Sequence, residues 1–328
     1  MDIGLYPYLP KTDLHLHLDG AARPDTIREF ALAQGITPEN IEPHLRVGTP
    51  GTLAEYLAHF RFVLPLMQTR EALSRIAYEI VEDAQLHSAA YIEIRFCPLL
   101  VLEGGLSGEE AVNAVIEGIA AAQEDLGGIL GRVVLCALQG QGREEAERVV
   151  DLALNFQISG VVGVDVAGDE SGRWNLEPFV APFRRAKDGG LRITCHAGEN
   201  GPPEHIIEAI ELLGAQRIGH GTSVLGSQRA IELARERNVG FECCPTSNVQ
   251  TGAVTSYAEH PLRRMLAAGL ACTINTDNPL FSETDIENEW NLAIDEIGLT
   301  AEECAIVLAN GFSQMFLEDA PAPVRNVR

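Results

Sequence analysis

His15 and His17 are the first residues in this chain whose types and spacing could do chemistry. Over 12–20 they alternate with Leu14, Leu16 and Leu18. Read as a strand, the stretch puts both imidazoles on one face and the leucines on the other. Two imidazoles so placed can reach one metal ion, and neutral imidazole is a common zinc ligand. The plain alternative is a strand with two polar residues near its end. His196 and Asp277 extend the set to nitrogen and oxygen donors that suit zinc. With an open position, such a zinc is a Lewis acid and a source of hydroxide near neutral pH. Glu199, just past His196, is placed to donate a proton rather than to bind metal. His220 could hold or deprotonate the water. Glu242 could orient His220 as a supporting carboxylate, or be a plain buried acid. From the residues alone, the chain reads as a zinc hydrolase.

Such a site needs elements that bring distant segments together. Alternation predicts a first strand in 12–20 and further strands over 91–96, 132–138, 161–166, 191–196, 217–220, 239–243 and 271–276. Helical spacing predicts helices over 24–34, 52–63, 70–86, 108–123, 143–155, 176–187, 204–213, 227–237, 261–268, 284–297 and 301–316. Strands separated by helices on this scale predict an α/β chain folded as a (β/α)8 TIM barrel. No G-x-G-x-x-G turn follows a strand to favour an open doubly wound sheet. The stretch between the first two strands, about 21–90, is too long for one connection and predicts inserted helices. Leu57 and Phe60 in it could form an apolar lid, with ordinary core packing as the alternative. The whole chain, 1–328, reads as one barrel domain with a loose tail over about 319–328.

Barrels of this kind carry their active sites at the C-terminal ends of the strands. There the sequence places His15, His17 and Asp19, then Asp165 to Glu170, then His196 and Glu199, then His220, then Glu242 to Asn248, then Asp277 and Asn278. One titratable residue at a strand end is often only a helix cap. So many at one rim point to a site. His44, His59, His87, His205 and His260 fall in helices or loops and read as surface or structural, and Cys243 and Cys244 as core.

The formal charge of -23 argues against nucleic acid and anionic membranes as partners. No basic leader precedes an apolar run at the N-terminus, and no apolar run is long enough to span a bilayer. The seven cysteines form no C-x-x-C pair and read as buried thiols of a cytoplasmic protein. No obligate protein partner is evident.

The motifs HLHLDG at 15–20, YIEIRFCP at 91–98, VDVAGDE at 164–170, HAGE at 196–199, RIGHG at 217–221, CPTSN at 244–248 and NTDNP at 275–279 run in one order over nearly the whole chain. Together they resemble the zinc-dependent adenosine deaminase family of the amidohydrolase-type metal barrels. The resemblance implies one Zn2+ per chain, held by His15, His17, His196 and Asp277. It implies that Glu199 protonates purine N1 and that His220 orients the attacking hydroxide. It implies that the Gly168 N–H meets N3, that Asp19 meets the ribose 5′-hydroxyl, and that His17 and Asn278 also border the substrate. Adenosine and 2′-deoxyadenosine would become inosine and 2′-deoxyinosine plus ammonia, in purine salvage. Asp19 could instead simply cap the next helix.

One position departs from the family pattern: the zinc Asp is often followed by a second Asp, and here by Asn278. Purine N7 is an acceptor, and an Asn amide carries N–H donors at every pH, so purine recognition survives while substrate preference is reopened. Alternatives within the same chemistry are aminodeoxyfutalosine and adenine. A cyclic amide or phosphoester hydrolase with two metals bridged by a carbamylated lysine is disfavoured. Lys11 and Lys187 are the only lysines, and neither sits at a strand end.

Overall fold

Eight parallel strands are hydrogen-bonded in chain order: β1 (Lys11–His17), β2 (Ala89–Phe96), β3 (Leu130–Leu138), β4 (Val161–Ala167), β5 (Arg192–Ala197), β6 (Arg217–His220), β7 (Gly240–Cys243) and β8 (Ala271–Ile274). The structure is a computed structural model that describes residues 2–48, 51–170, 172 and 174–317, so the tail expected from about 319 lies outside the described residues. The sheet closes on itself just past β8. There the His17 N–H donates to the Asp277 carbonyl (2.9 Å), and the Asp277 N–H donates to the His15 carbonyl (2.8 Å). The expected (β/α)8 barrel is thus observed, and all eight expected strands are present.

Helices cover the outside because each presents one apolar stripe. Arg70–Leu86 buries Leu73, Ile76, Ala77, Ile80 and Val81 at helical spacing, and the Thr69 side chain caps its first turn. Between β1 and β2 the chain adds helices, as expected, but the element expected over 52–63 is two pieces, Leu53–Leu57 and Phe60–Val63. The break is a tightening of the backbone. The Ala58 and His59 N–H groups bond to the carbonyls of Glu55 and Tyr56, three residues back, at 3.2 Å each.

The barrel interior is charged. Alternation along β2 sends Glu93 and Arg95 inward, where both are fully buried. Arg95 pairs with Asp165 of β4 (2.9 Å) and Glu242 of β7 (2.8 Å). Arg217 of β6 pairs with Glu242 (2.6 Å) and with Glu93. Its guanidinium also lies 3.4 Å over the Phe316 ring. Buried charges persist only when paired, and this ladder ties four strands together directly beneath the rim.

Candidate active site

At the upper rim β1, β5 and the turn after β8 converge. His17 Nε2 lies 3.3 Å from His15 Nε2, from His196 Nε2 and from Asp277 Oδ1, and His15 Nε2 lies 3.3 Å from the same Asp277 oxygen. Zinc bonds of about 2.0–2.1 Å at tetrahedral angles would hold ligand atoms about 3.3–3.4 Å apart. The residues present therefore fit a zinc ion. Burial keeps His17 neutral, as a ligand must be. Burial also disfavours the charged form of Asp277, yet the His15 hydrogen bond and the neighbouring imidazoles hold it well below the usual carboxylate range. Asp277 reaches inward from a left-handed backbone, φ 64°. That conformation is costly for a residue with a side chain and recurs at functional sites.

Three of the four ligands are held from behind. Glu242 accepts from His15 Nδ1 (2.7 Å), Asp165 from His196 Nδ1 (3.0 Å), and Asp277 Oδ2 from the Ser247 hydroxyl (2.6 Å). Such partners fix the ring tautomer and leave Nε2 free for metal. Glu242 therefore orients His15 and not His220, a correction to the expectation. The physical reason is register: Glu242 points into the interior, toward Arg95, Arg217 and β1. The His15–His220–Cys244 cluster does not make a rival site, because burial keeps the Cys244 thiol protonated and it donates to the Glu242 carbonyl. Lys11 opens β1 at the opposite mouth and donates to the His87 carbonyl (2.9 Å), away from the ligands.

Glu199 and His220 flank the ligand set, His220 Nε2 lying 3.7 Å from Glu199 Oε2. Burial, and after it the Asp277 charge, pushes Glu199 up to about 8. Its Oε1 accepts from the Thr251 hydroxyl (2.9 Å). Burial and the imidazoles around it keep His220 neutral. Its tautomer follows from a chain of partners. The Leu262 backbone N–H donates to His260 Nδ1 (3.2 Å). His260 Nε2–H then donates to Asn248 Oδ1 (3.0 Å), and the Asn248 amide donates to His220 Nδ1 (2.9 Å). A backbone N–H has no second role, so the proton of neutral His220 sits on Nε2, facing the site. His220 can then hold an oxygen by donation. It cannot take a proton from it, which removes one of the two roles the sequence allowed. His260, expected at the surface or in a plain structural role, is buried in this chain.

A small cavity of about 40 Å³ lies over these groups, lined by Gly168, Asn278, Thr251, Leu53, Tyr56, Leu57 and Phe60 as well as His17, His196, Glu199, His220 and Asp277. Leu57 and Phe60 from the inserted helices thus cover the site. Gly168 follows β4 with φ 105°, a conformation suited to glycine. Asn278 packs against Gly20, where any Cβ would fall 1.8 Å from its Oδ1, and that oxygen has no hydrogen-bond partner among the described residues. Asp19 is buried and is not part of this cavity's lining, its Oδ1 also without a partner among the described residues. It does not cap the next helix, which starts at Pro24 with Arg23 in the cap position. A larger cavity, about 500 Å³, lies outside the barrel along the seam of β1 and β8 and includes none of the ligands.

Sequence reading placed Asp165, Ser247 and Asn248 at the rim without a role for any of them, and it missed Thr251, the part His260 plays and the Arg95–Arg217 ladder. Asp165 and Arg95 stood in motifs already noted, and inward alternation was the available signal. For His260 and Thr251 no local signal exists.

The family model for adenosine deaminase matches residues 10–323. An adenosine deaminase of Clostridium kluyveri is 38% identical over 314 residues, covering 94% of this chain and 90% of that protein. Among solved structures, an amidohydrolase of Burkholderia ambifaria with bound zinc superposes with a TM-score of 0.89 at 28% identity, covering 97% of this chain and 88% of that one. The adenine deaminase of Arthrobacter aurescens superposes with a TM-score of 0.86 at 27% identity, covering 95% of each chain. No helix among the described residues is long and apolar enough to cross a membrane. With the family model matched over 10–323 and a relative 38% identical over 94% of its length, the chain belongs to the adenosine deaminase family.

Proposed function

We infer that the chain, acting as one barrel domain, hydrolyses adenosine and 2′-deoxyadenosine to inosine and 2′-deoxyinosine with release of ammonia. The observation that carries this is the convergence of a zinc-sized donor set with a buried carboxyl group and an imidazole on one side of it. His15, His17, His196 and Asp277 would hold a single zinc, which when bound supplies hydroxide near neutral pH. Glu199, pushed up to about 8 by burial, retains a proton to place on purine N1. That proton makes C6 electrophilic and lets the ring accept the electron pair. His220 Nε2–H holds the incoming oxygen, and the Gly168 N–H meets N3.

The Asn278 amide suits adenine in particular. Its N–H can meet N7, and its unpartnered carbonyl can accept from the 6-amino group, the pairing that Asn makes with adenine elsewhere. Asp19, with a buried unpartnered oxygen, is the group for a sugar hydroxyl. It favours a nucleoside over free adenine. Leu57 and Phe60 form an apolar lid. A nucleoside needs a pocket of hundreds of Å³, against about 40 Å³ in this closed form, so the lid must lift. The partner is a small purine nucleoside.

The test is metal removal and substrate comparison. Chelated protein should lose ammonia release from adenosine and regain it with one zinc per chain. Adenosine and 2′-deoxyadenosine should exceed adenine and aminodeoxyfutalosine in kcat/KM. Preference for either of the latter would shift the substrate while leaving the chemistry in place.

A further inference from the structure

Glu170 is a buried carboxylate that the chemistry above leaves unused. It lies two residues past Gly168 on the loop that leaves β4 and is 4% exposed. Its oxygens accept from the backbone N–H groups of Gly198 (2.8 Å), Asn200 (2.7 Å) and Gly201 (2.9 Å), and from His205 Nδ1 (2.9 Å). The backbone donors bracket Glu199 on both sides. The His205 ring in turn stacks on Trp174, with centroids 4.0 Å apart and planes within 7°. Trp174 is anchored by donation from its indole N–H to Glu208 (2.7 Å). The stacked pair covers the carboxylate from the solvent side.

An ionised carboxylate offers about four lone-pair sites and no donor, which matches a ring of N–H groups; an amide has one oxygen and brings donors of its own. The segment held donates three of its backbone N–H groups to Glu170. Gly198 (φ 67°) and Gly201 flank Glu199 and Asn200. Its carbonyls accept from the Thr222 hydroxyl at Gly198 and Glu199 (3.0 and 2.8 Å) and from the Ser223 N–H at Gly198 (2.9 Å). Asn200 donates to the Thr251 carbonyl (3.1 Å), and the Glu199 carboxyl accepts from the Thr251 hydroxyl (2.9 Å). Among the described residues, and apart from the strand β5 itself, Glu170 is the one partner that takes its backbone N–H groups on both sides of Glu199.

We propose that Glu170 is a positioning residue that ties the loop bearing Gly168 to the loop bearing Glu199, so that the groups addressing the two edges of the purine ring are held as one body. This rests on the roles of Gly168 and Glu199 proposed above. Displacing a proton donor by about 1 Å costs about 10²-fold in rate, which sets the scale of the effect.

The test uses zinc-loaded wild type, Glu170→Gln and Glu170→Ala. Amide hydrogen exchange at Asn200 and Gly201 should accelerate about 100-fold in both variants. Their kcat on adenosine should fall about 10²-fold at unchanged zinc content. Formate, filling the gap in Glu170→Ala, should restore part of that loss while leaving the wild type and Glu199→Gln unaffected. Unchanged exchange, a kcat within about threefold of the wild type, or a loss that follows zinc content and unfolding with no formate rescue, overturns the proposal. If the wild type itself does not turn over adenosine, the substrate reading fails instead, and the exchange measurement still decides the clamp.

Discussion

A carboxylic acid can protonate a ring nitrogen only while it still holds its own proton. Burial and the Asp277 charge push Glu199 up to about 8, so it is protonated at neutral pH and loses its proton as pH rises. A dication in the adjoining ligand set favours the carboxylate and moves that point down. The pH profile of kcat should therefore fall on its alkaline side with a midpoint at or below about 8. A rate that climbs through this range would assign Glu199 to the role of a base. The Asn248–His260 relay carries a second prediction. Asn248→Leu removes the donor to His220 Nδ1, freeing the ring to move its proton. Nitrogen NMR should then show mixed tautomers in place of Nε2–H, and kcat should drop about 10- to 100-fold with KM little changed. An Nδ1–H ring in the wild type would refute the relay. Asn278→Ala should lower kcat/KM on adenosine by about 10-fold, the weight of a hydrogen bond lost from a buried site. An unchanged value would remove Asn278 from recognition. The metal ligands were legible in sequence because two sit two residues apart on one strand and the others lie in short motifs. The relay was not, since its first donor is a backbone N–H and its members are joined only by the turn after β7.

At the scale of elements, function depends on where strands stop. His220 ends β6 and Asp277 lies in the turn after β8, both in left-handed backbone, φ 63° and 64°, and that bend turns each side chain toward the barrel axis. Strand positions could be read from alternation and from glycine and proline punctuation. The bend could not, because left-handed His and Asp carry no compositional mark. The same limit explains the split of 52–63: its break at Ala58, in the segment that borders the cavity, contains neither glycine nor proline to mark the 3₁₀-type tightening. That cover makes its own prediction. Leu57 borders the closed cavity, so Leu57→Ala should raise KM for adenosine about 10-fold by loss of apolar contact, with kcat little altered. Steady-state kinetics decide it. An equal fall in kcat with KM fixed would mean that the segment shapes the chemistry rather than closing over substrate.

Across the whole molecule, the barrel core and the site form one electrostatic system. Asp165 and Glu242, which back His196 and His15, share Arg95 between them. Burial works against both carboxylates, yet the surrounding charges hold each below its ordinary range: His196 and Arg95 for Asp165, Arg95 and Arg217 for Glu242. Arg95→Met would leave two buried carboxylates short of a partner. It should destabilise the fold by about 3–5 kcal/mol and weaken zinc binding about 10- to 100-fold through the loosened imidazoles. Denaturant titration and metal competition measure the two separately; zinc affinity that stays unchanged would uncouple core from site. Sequence showed this system only as inward alternation in YIEIRF, since pairing across four strands is visible only once the barrel closes. The central claim is that the zinc-loaded barrel deaminates adenosine with Glu199 as its acid, and the ultraviolet conversion of adenosine to inosine tests it most directly, with Glu199→Gln as the control. Rapid loss of the adenosine band by the wild type, abolished in the variant at equal zinc content, is the result expected. No spectral change by metal-loaded wild type, or full activity in Glu199→Gln, would contradict the account.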